Sequence, residues 1–230
     1  MRLFFALLTF VVYLQAPLAR AENGPVVVEL FTSQGCSSCP PADAMLQDLA
    51  ARGDVIALAL HVDYWDYIGW KDSFAHAAFT QRQHGYARAV GANTVYTPQM
   101  VFNGTDHVVG SRAMQVMDAL QAHMARGQVF DVSLTRAGDQ VSIQAGAGPS
   151  GDYAVQLVRY LPQATVDIRR GENAGRTLTY ANIVTAWDAI ASWDGRTPLN
   201  LTATVGGSDA IVVLVQQSGH GAILGAAQLR

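Results

Sequence analysis

Cysteine is nearly missing from this chain: 230 residues hold two, Cys36 and Cys39. Small exported domains that depend on covalent staples carry several, and a bridge between positions so close holds little together, so a disulfide-built scaffold is excluded. Charge is scarce too, at 14% of residues with a net of −3. Without a basic field there is nothing to attract a nucleic acid backbone, and no nucleic-acid partner is expected. Beyond the N-terminal segment no apolar run reaches the ~20 residues that cross a bilayer, so no stable membrane anchor is expected. Repeats and low-complexity tracts are also missing. Apolar residues, in contrast, make up 50% of the chain, enough to bury the core of one large domain or two modest ones.

The first residues have the form of a secretory signal peptide. Arg2 supplies positive charge, Leu3 to Leu14 is apolar, and Ala19-Arg20-Ala21 has the small-x-small pattern of a cleavage site. An uncleaved anchor would need a longer apolar run than these roughly 12 residues. The expectation is a signal peptide over 1–21, cleavage between Ala21 and Glu22, and a periplasmic or secreted mature protein in an oxidising compartment.

Val26 to Phe31 is short, β-branched and nearly all apolar, the pattern of a strand buried on both faces. The cysteine pair follows, then Pro40 to Arg52, where Ala42, Met45, Leu46, Leu49 and Ala50 recur at helical spacing before Gly53. Val55 to Val62 repeats the buried-strand pattern, so these elements predict a βαβ unit with parallel strands. Ser73 to Val90 reads as an inserted helix. Gln99 to Asn103 and Asp106 to Val109 read as a hairpin around Gly104-Thr105, and Ser111 to Arg126 as a helix with Met114, Met117, Leu120 and Met124 toward the core. After Gly127 come strand patterns at 129–135, 140–145, 153–161, 164–169, 177–186, 199–205, 210–217 and 222–229, broken by glycine-rich turns. The expected fold is therefore an α/β domain over 22–127 followed by an all-β, sandwich-like C-terminal domain over 128–230.

Chemistry concentrates in Cys36-Ser37-Ser38-Cys39, placed after a buried strand and before a helix. A helix N-terminus stabilises a thiolate, which makes the first cysteine a nucleophile for disulfide exchange. The same spacing occurs in half of a structural zinc site, but no second pair completes one. A static short-range disulfide is the bland alternative.

The segment Val95-Tyr96-Thr97-Pro98-Gln99-Met100-Val101-Phe102-Asn103-Gly104 resembles the thioredoxin superfamily segment in which a threonine and a cis proline precede a strand. That resemblance implies a thioredoxin-like fold for the first domain, a cis Thr97-Pro98 bond, and a role for both residues in holding substrate backbone opposite the cysteines. More widely, Glu29 to Asp43, His61 to Asp66, Tyr96 to Gln99 and Arg170 to Asn173 resemble the exported family called domain of unknown function 1223. In thioredoxins a buried acid lies beneath the pair. Glu29 is the nearest equivalent, and it serves either as proton shuttle for Cys39 or as a simple edge charge.

His61 and Asp63 close the second parallel strand, on the sheet edge where sites gather. With two thiolates, His61 offers a soft-metal set, Cys36, Cys39 and His61, suited to copper(I) or zinc; a packing histidine is the alternative. Tyr64 and Trp65, with Tyr67 and Trp70, form either a substrate-facing wall or an apolar plug. Arg169, Arg170, Glu172, Asn173 and Arg176 are expected in a polar network at the domain interface. The function expected is a thiol–disulfide oxidoreductase without further cofactor, in which Cys36 attacks and Cys39 resolves. Its substrates would be exported protein or small-molecule thiols and disulfides, with a redox partner protein. The alternative is a non-enzymatic protein binding a soft metal or a peptide. The enzymatic expectation requires sulfurs open to the surface.

Overall fold

The computed structural model describes residues 24–207 and 209–230; the expected signal peptide and its cleavage point lie outside the described residues. Among the described residues no helix is long and apolar enough to cross a membrane.

Strand β1 (Val26–Thr32) and strand β2 (Val55–His61) are buried at every position, as their unbroken apolar character requires. They lie parallel, with Val26 opposite Val55 and Thr32 opposite His61, and helix α1 (Pro40–Ala50) crosses between them. A 3-10 turn (Asp66–Ile68) leads into α2 (Ala77–Ala89), which starts at His76. There the His76 ring accepts a hydrogen bond from the Ala78 N–H, a cap that shortens the helix expected from Ser73. Strands β3 (Gln99–Phe102) and β4 (Asp106–Val109) form the hairpin, and α3 (Ala113–Arg126) ends at Gly127.

The remaining strands are β5 (Val132–Ala137), β6 (Gln140–Ala145), β7 (Tyr153–Asp167), β8 (Thr177–Trp193), β9 (Leu199–Thr204), β10 (Ala210–Gln217) and β11 (Ile223–Leu229). They do not form a body of their own. Eight strands make one sheet in the order β11-β10-β7-β8-β2-β1-β3-β4, and β5-β6-β9 make a second, smaller sheet. The two-domain expectation is corrected at the seam: Ile183 of β8 pairs with Ala59 of β2. Without β8, β2 would present an open row of N–H and C=O groups, and pairing removes that liability. The core follows the sheet. One apolar cluster joins Val27, Phe31, Leu58 and Phe79 to Val158, Val212 and Leu214 from beyond Gly127. A second cluster packs α1 and α3 on Val28, Leu30 and Met100, and a third fills the space between the small sheet and β7, β10.

Two local expectations are revised. The separate strands expected at 153–161 and 164–169 are one strand, β7, because the ladder skips Pro162, which has no N–H to donate, and resumes at Gln163. Facing Pro162 in the ladder, Asn182 takes a left-handed φ of 48°. On α3 the buried stripe is Val116, Leu120 and His123, at spacings of four and three, while Met114 is 81% exposed.

Candidate functional site

The carboxyl end of β1 turns through Ser33-Gln34-Gly35 into the cysteines, which form a disulfide. Cys39 is the N-cap of α1, and Pro40 and Pro41 fill its first two positions, where a missing N–H costs nothing. The next N–H groups, of Ala42 and Asp43, both donate to the Cys39 carbonyl. The helix's own first donors are thereby taken up; the polar side-chain neighbour of Cys36 Sγ is Ser38 Oγ, at 3.3 Å.

One turn along the helix from the pair is a buried carboxyl that sequence reasoning missed. Asp43 stands one helical turn past Cys39, in position to share its helix face, and is 5% exposed. Thr32 Oγ1 donates to its Oδ1 at 2.7 Å, while Oδ2 is buried without a hydrogen-bond partner. Burial pushes the Asp43 carboxyl up to about 7, against the attraction of His61 and the Thr32 hydrogen bond; the nearby charge of Asp72 pushes it further the same way. His61 Nε2 and Tyr180 Oη are likewise buried and unpartnered. One signal pointed to Asp43: it interrupts the apolar helix pattern between Ala42 and Leu46, four residues after a cysteine.

Glu29 is not beneath the cysteines, which corrects the shuttle assignment. Successive strand residues point to opposite faces, and Thr32 has taken the α1 side. Glu29 faces α2, where Arg82 grips it with Nε at 2.6 Å and Nη2 at 2.9 Å, and the Tyr86 hydroxyl donates to it at 2.5 Å. A carboxylate with no exposure needs such partners. Arg82 also reaches Gln216 Oε1 at 3.1 Å and lies 3.7 Å from the Trp187 ring centre, which ties this cluster to the C-terminal strands.

His61 is a packed residue. Its Nδ1 meets Asp72 Oδ2 at 2.8 Å, and its ring lies edge-on to Phe74 and Tyr180. Burial pushes the Asp72 carboxyl up, yet His61 and the N–H groups of Gln34 and Phe74 outweigh it and hold it below the usual carboxylate range. Asp63 turns away to accept a hydrogen bond from Thr80 at 2.6 Å. The metal alternative finds no set of ligands: among the described residues no three His, Cys, Asp or Glu side chains gather around a possible ion.

The Thr97-Pro98 bond is cis. Trp65 connects this loop to the cysteine loop, donating from Nε1 to Thr97 Oγ1 at 2.8 Å while packing so close to Gly35 that a Cβ there would lie 3.2 Å from its own. Tyr64 donates to Gln83, and Tyr67 stacks on Trp65 with 81% of its surface exposed.

The expectation of open sulfurs is not met. Cys36 and Cys39 are both fully buried, although Ser37 and Ser38 between them are exposed. Contacts to the backbone of this turn come from far along the chain. The tip between β7 and β8 brings Asn173, whose amide donates to the Gln34 and Cys36 carbonyls at 2.9 and 3.0 Å, and Glu172, whose carboxylate accepts from the Ser37 N–H at 3.4 Å. The polar network expected of this loop thus reaches the cysteine turn, with Arg176 donating to Asn173 Oδ1 at 3.1 Å. A surface depression of about 950 Å³, lined by Gln47, Tyr160, Asn182 and Arg230 among others, lies near the other end of α1 and touches neither cysteine.

These features define a class: mixed α/β proteins with a covered, short-loop disulfide at a strand-to-helix turn of a βαβ unit. The chain belongs to the family described as protein of unknown function DUF1223, whose sequence profile matches residues 27–216. It is similar to the crystal structure of protein AGR_C_4864 from Agrobacterium tumefaciens, at 38% identity and a TM-score of 0.79, covering 91% of this chain and 96% of that one. HBP35 of Porphyromonas gingivalis shares the fold at 14% identity and a TM-score of 0.63, over 90% of this chain and 75% of that one. No curated protein matches this chain.

Proposed function

We propose that this protein is an exported thiol–disulfide oxidoreductase of thioredoxin-like type whose redox pair is Cys36–Cys39. One observation carries the reading: the disulfide closes a loop of only three positions, with a protonatable carboxyl, Asp43, one turn below and one oxygen uncommitted. As a staple such a bridge sits at the low end of the ~2–4 kcal/mol that disulfides contribute, and a permanent bridge has no use for a buried acid.

The sulfurs are buried in this form, so the reading requires a conformation that uncovers them; there, in the reduced protein, the Cys36 thiolate attacks one sulfur of a substrate disulfide, joins it, and expels the other half as a thiolate. Cys39 then gives its proton to the Asp43 carboxylate and attacks the Cys36 sulfur. The mixed disulfide breaks, the second half of the substrate leaves as a thiolate, and Cys36–Cys39 is restored. Substrates are exported protein or small-molecule disulfides, and a partner dithiol returns the pair to the reduced state. The cis Thr97-Pro98 loop and the Tyr64-Trp65 wall would hold the incoming chain.

The test is equilibration of the pair with glutathione buffers. A potential above about −300 mV, in the range of exchangeable pairs, is expected; a bridge still intact well below that is a structural one and ends the reading.

A further inference from the structure

The hairpin formed by β7 and β8 is longer than the sheet needs. Its sheet neighbours are shorter, yet pairing between the two strands continues out to Asp167 and Thr177. Along α1 the outer part is tied down by Gln47, whose side chain donates to the Thr179 carbonyl at 2.7 Å. Beyond that point the tip is a self-contained unit. The Ile168 N–H donates to the Arg176 carbonyl, the Gly175 N–H to the Ile168 carbonyl, and the Arg176 N–H to the Asn173 carbonyl. Gly171 and Gly175 take the left-handed φ values, 77° and 81°, that so tight a tip requires.

What the tip does for the cysteine turn is specific. Gln34 and Cys36 present their carbonyls on the turn between strand and helix, and one amide, Asn173 Nδ2, fills both. Asn173 is itself 1% exposed and oriented by Arg176. Its neighbour Glu172 is exposed and meets Ser37 at the long distance of 3.4 Å. Gly171 packs on Trp70. The hydrogen bonds between tip and cysteine turn are therefore few and centre on one residue, while the two sulfurs of that turn have no exposure.

We propose that the 168–176 tip is a gate over the Cys36–Cys39 disulfide and that Asn173 is its latch. Thiols and disulfides then exchange with the pair only from an open form in which the Asn173 amide has left the Gln34 and Cys36 carbonyls. The gate's biological use rests on the oxidoreductase reading; its physical action does not. Asn173 is a positioning residue, since it touches the backbone of the cysteine turn and not the sulfurs. An open gate would leave the Gln34 carbonyl without that donor and the Cys36 carbonyl with the Cys39 N–H alone, at 3.2 Å. That arrangement suits an extended peptide whose N–H groups replace the amide, and thus a protein partner over a bare small thiol.

The gate is tested by reduction of the intact oxidised protein with dithiothreitol and with glutathione. In the dithiothreitol case a reagent thiolate attacks one sulfur and the Cys36–Cys39 bond breaks. The second reagent thiol then displaces the protein, which leaves with both cysteines reduced as the reagent closes to its cyclic disulfide. Asn173→Ala and Asn173→Asp both remove the donor. Each is expected to accelerate reduction by both reagents at least fivefold while the equilibrium potential stays where it is. A smaller acceleration, or one matched by an equal shift in the equilibrium, overturns the gate. Should the variants not fold, the unmutated protein decides. A rate that levels off with reductant at one ceiling shared by both reagents upholds the gate, and strict proportionality throughout for both overturns it. Failure of the functional reading looks different: the gate behaves as described, but the reduced protein passes no electrons to any protein disulfide.

Discussion

Thr32 and Asp43 are joined by a hydrogen bond of 2.7 Å that satisfies one carboxyl oxygen and leaves the other buried and free. The strand end and the helix turn after the cysteines are thereby locked together through an acid that burial holds near neutral pKa, about 7.

This acid makes stability fall with rising pH. Its folded pKa is above the unfolded one, so the folded state binds the proton more tightly; that advantage is whole below about pH 4 and gone once the pH has passed about 7. Asp43→Asn removes the ionisation. The variant is expected to match the parent at pH 4 and to exceed it at pH 8 by roughly 2–4 kcal/mol in urea unfolding, whereas a variant weaker at pH 8 refutes the assignment.

Ser38 is the polar neighbour of Cys36 Sγ, because the two prolines and the Cys39 carbonyl take up the helix's own donors. In the reduced protein Ser38→Ala is expected to raise the Cys36 thiol pKa by about one unit, as the loss of a hydrogen bond to a charged group implies. Alkylation rate against pH measures it, and an unmoved profile shows that the hydroxyl does not support the thiolate.

Arg82 neutralises Glu29 inside the sheet and bridges to Gln216 and Trp187. Arg82→Ala leaves a carboxylate buried and unpaired, and about 3–5 kcal/mol of stability should be lost. Because this cluster lies on the opposite face from Asp43, the glutathione equilibrium of the surviving folded protein should not change. A shifted equilibrium would tie Glu29 to the cysteine pair after all.

Gly104 closes the β3–β4 turn at a φ of 75°, and a Cβ there would lie 2.5 Å from the Gly221 carbonyl oxygen. Gly104→Ala therefore combines a left-handed strain with a clash against backbone, and a loss of roughly 2 kcal/mol or more in thermal or urea unfolding is expected. An unchanged midpoint would mean that the turn and the 217–222 loop can move apart.

The βαβ unit was legible because its signals are local: two apolar runs, a helical repeat, and a cysteine pair between them. Most strand positions after Gly127 were legible for the same reason, although β7 runs through the expected break at Pro162 and β8 runs past its expected end to Trp193. Their assembly was not, since the contact between Ala59 and Ile183 joins segments that share no pattern. The same limit governed the site. Glu29 lies near the cysteines in the chain, but strand alternation turned it to the other face. Asp43 and Asn173 were in plain view as residue types, yet their roles depend on a free oxygen and on two carbonyls that only folding brings within reach.

The shared core has a practical corollary for anyone dissecting the molecule. A truncated product ending at Gly127 would lose the β8 partner of Ala59 as well as Val158, Val212 and Leu214 from the apolar layer behind Phe31 and Leu58. Such a product offers unpaired backbone and bare hydrocarbon side by side, the combination that drives chains to aggregate, so a minimal module carrying the cysteines cannot be cut from this protein at the place where its helices stop.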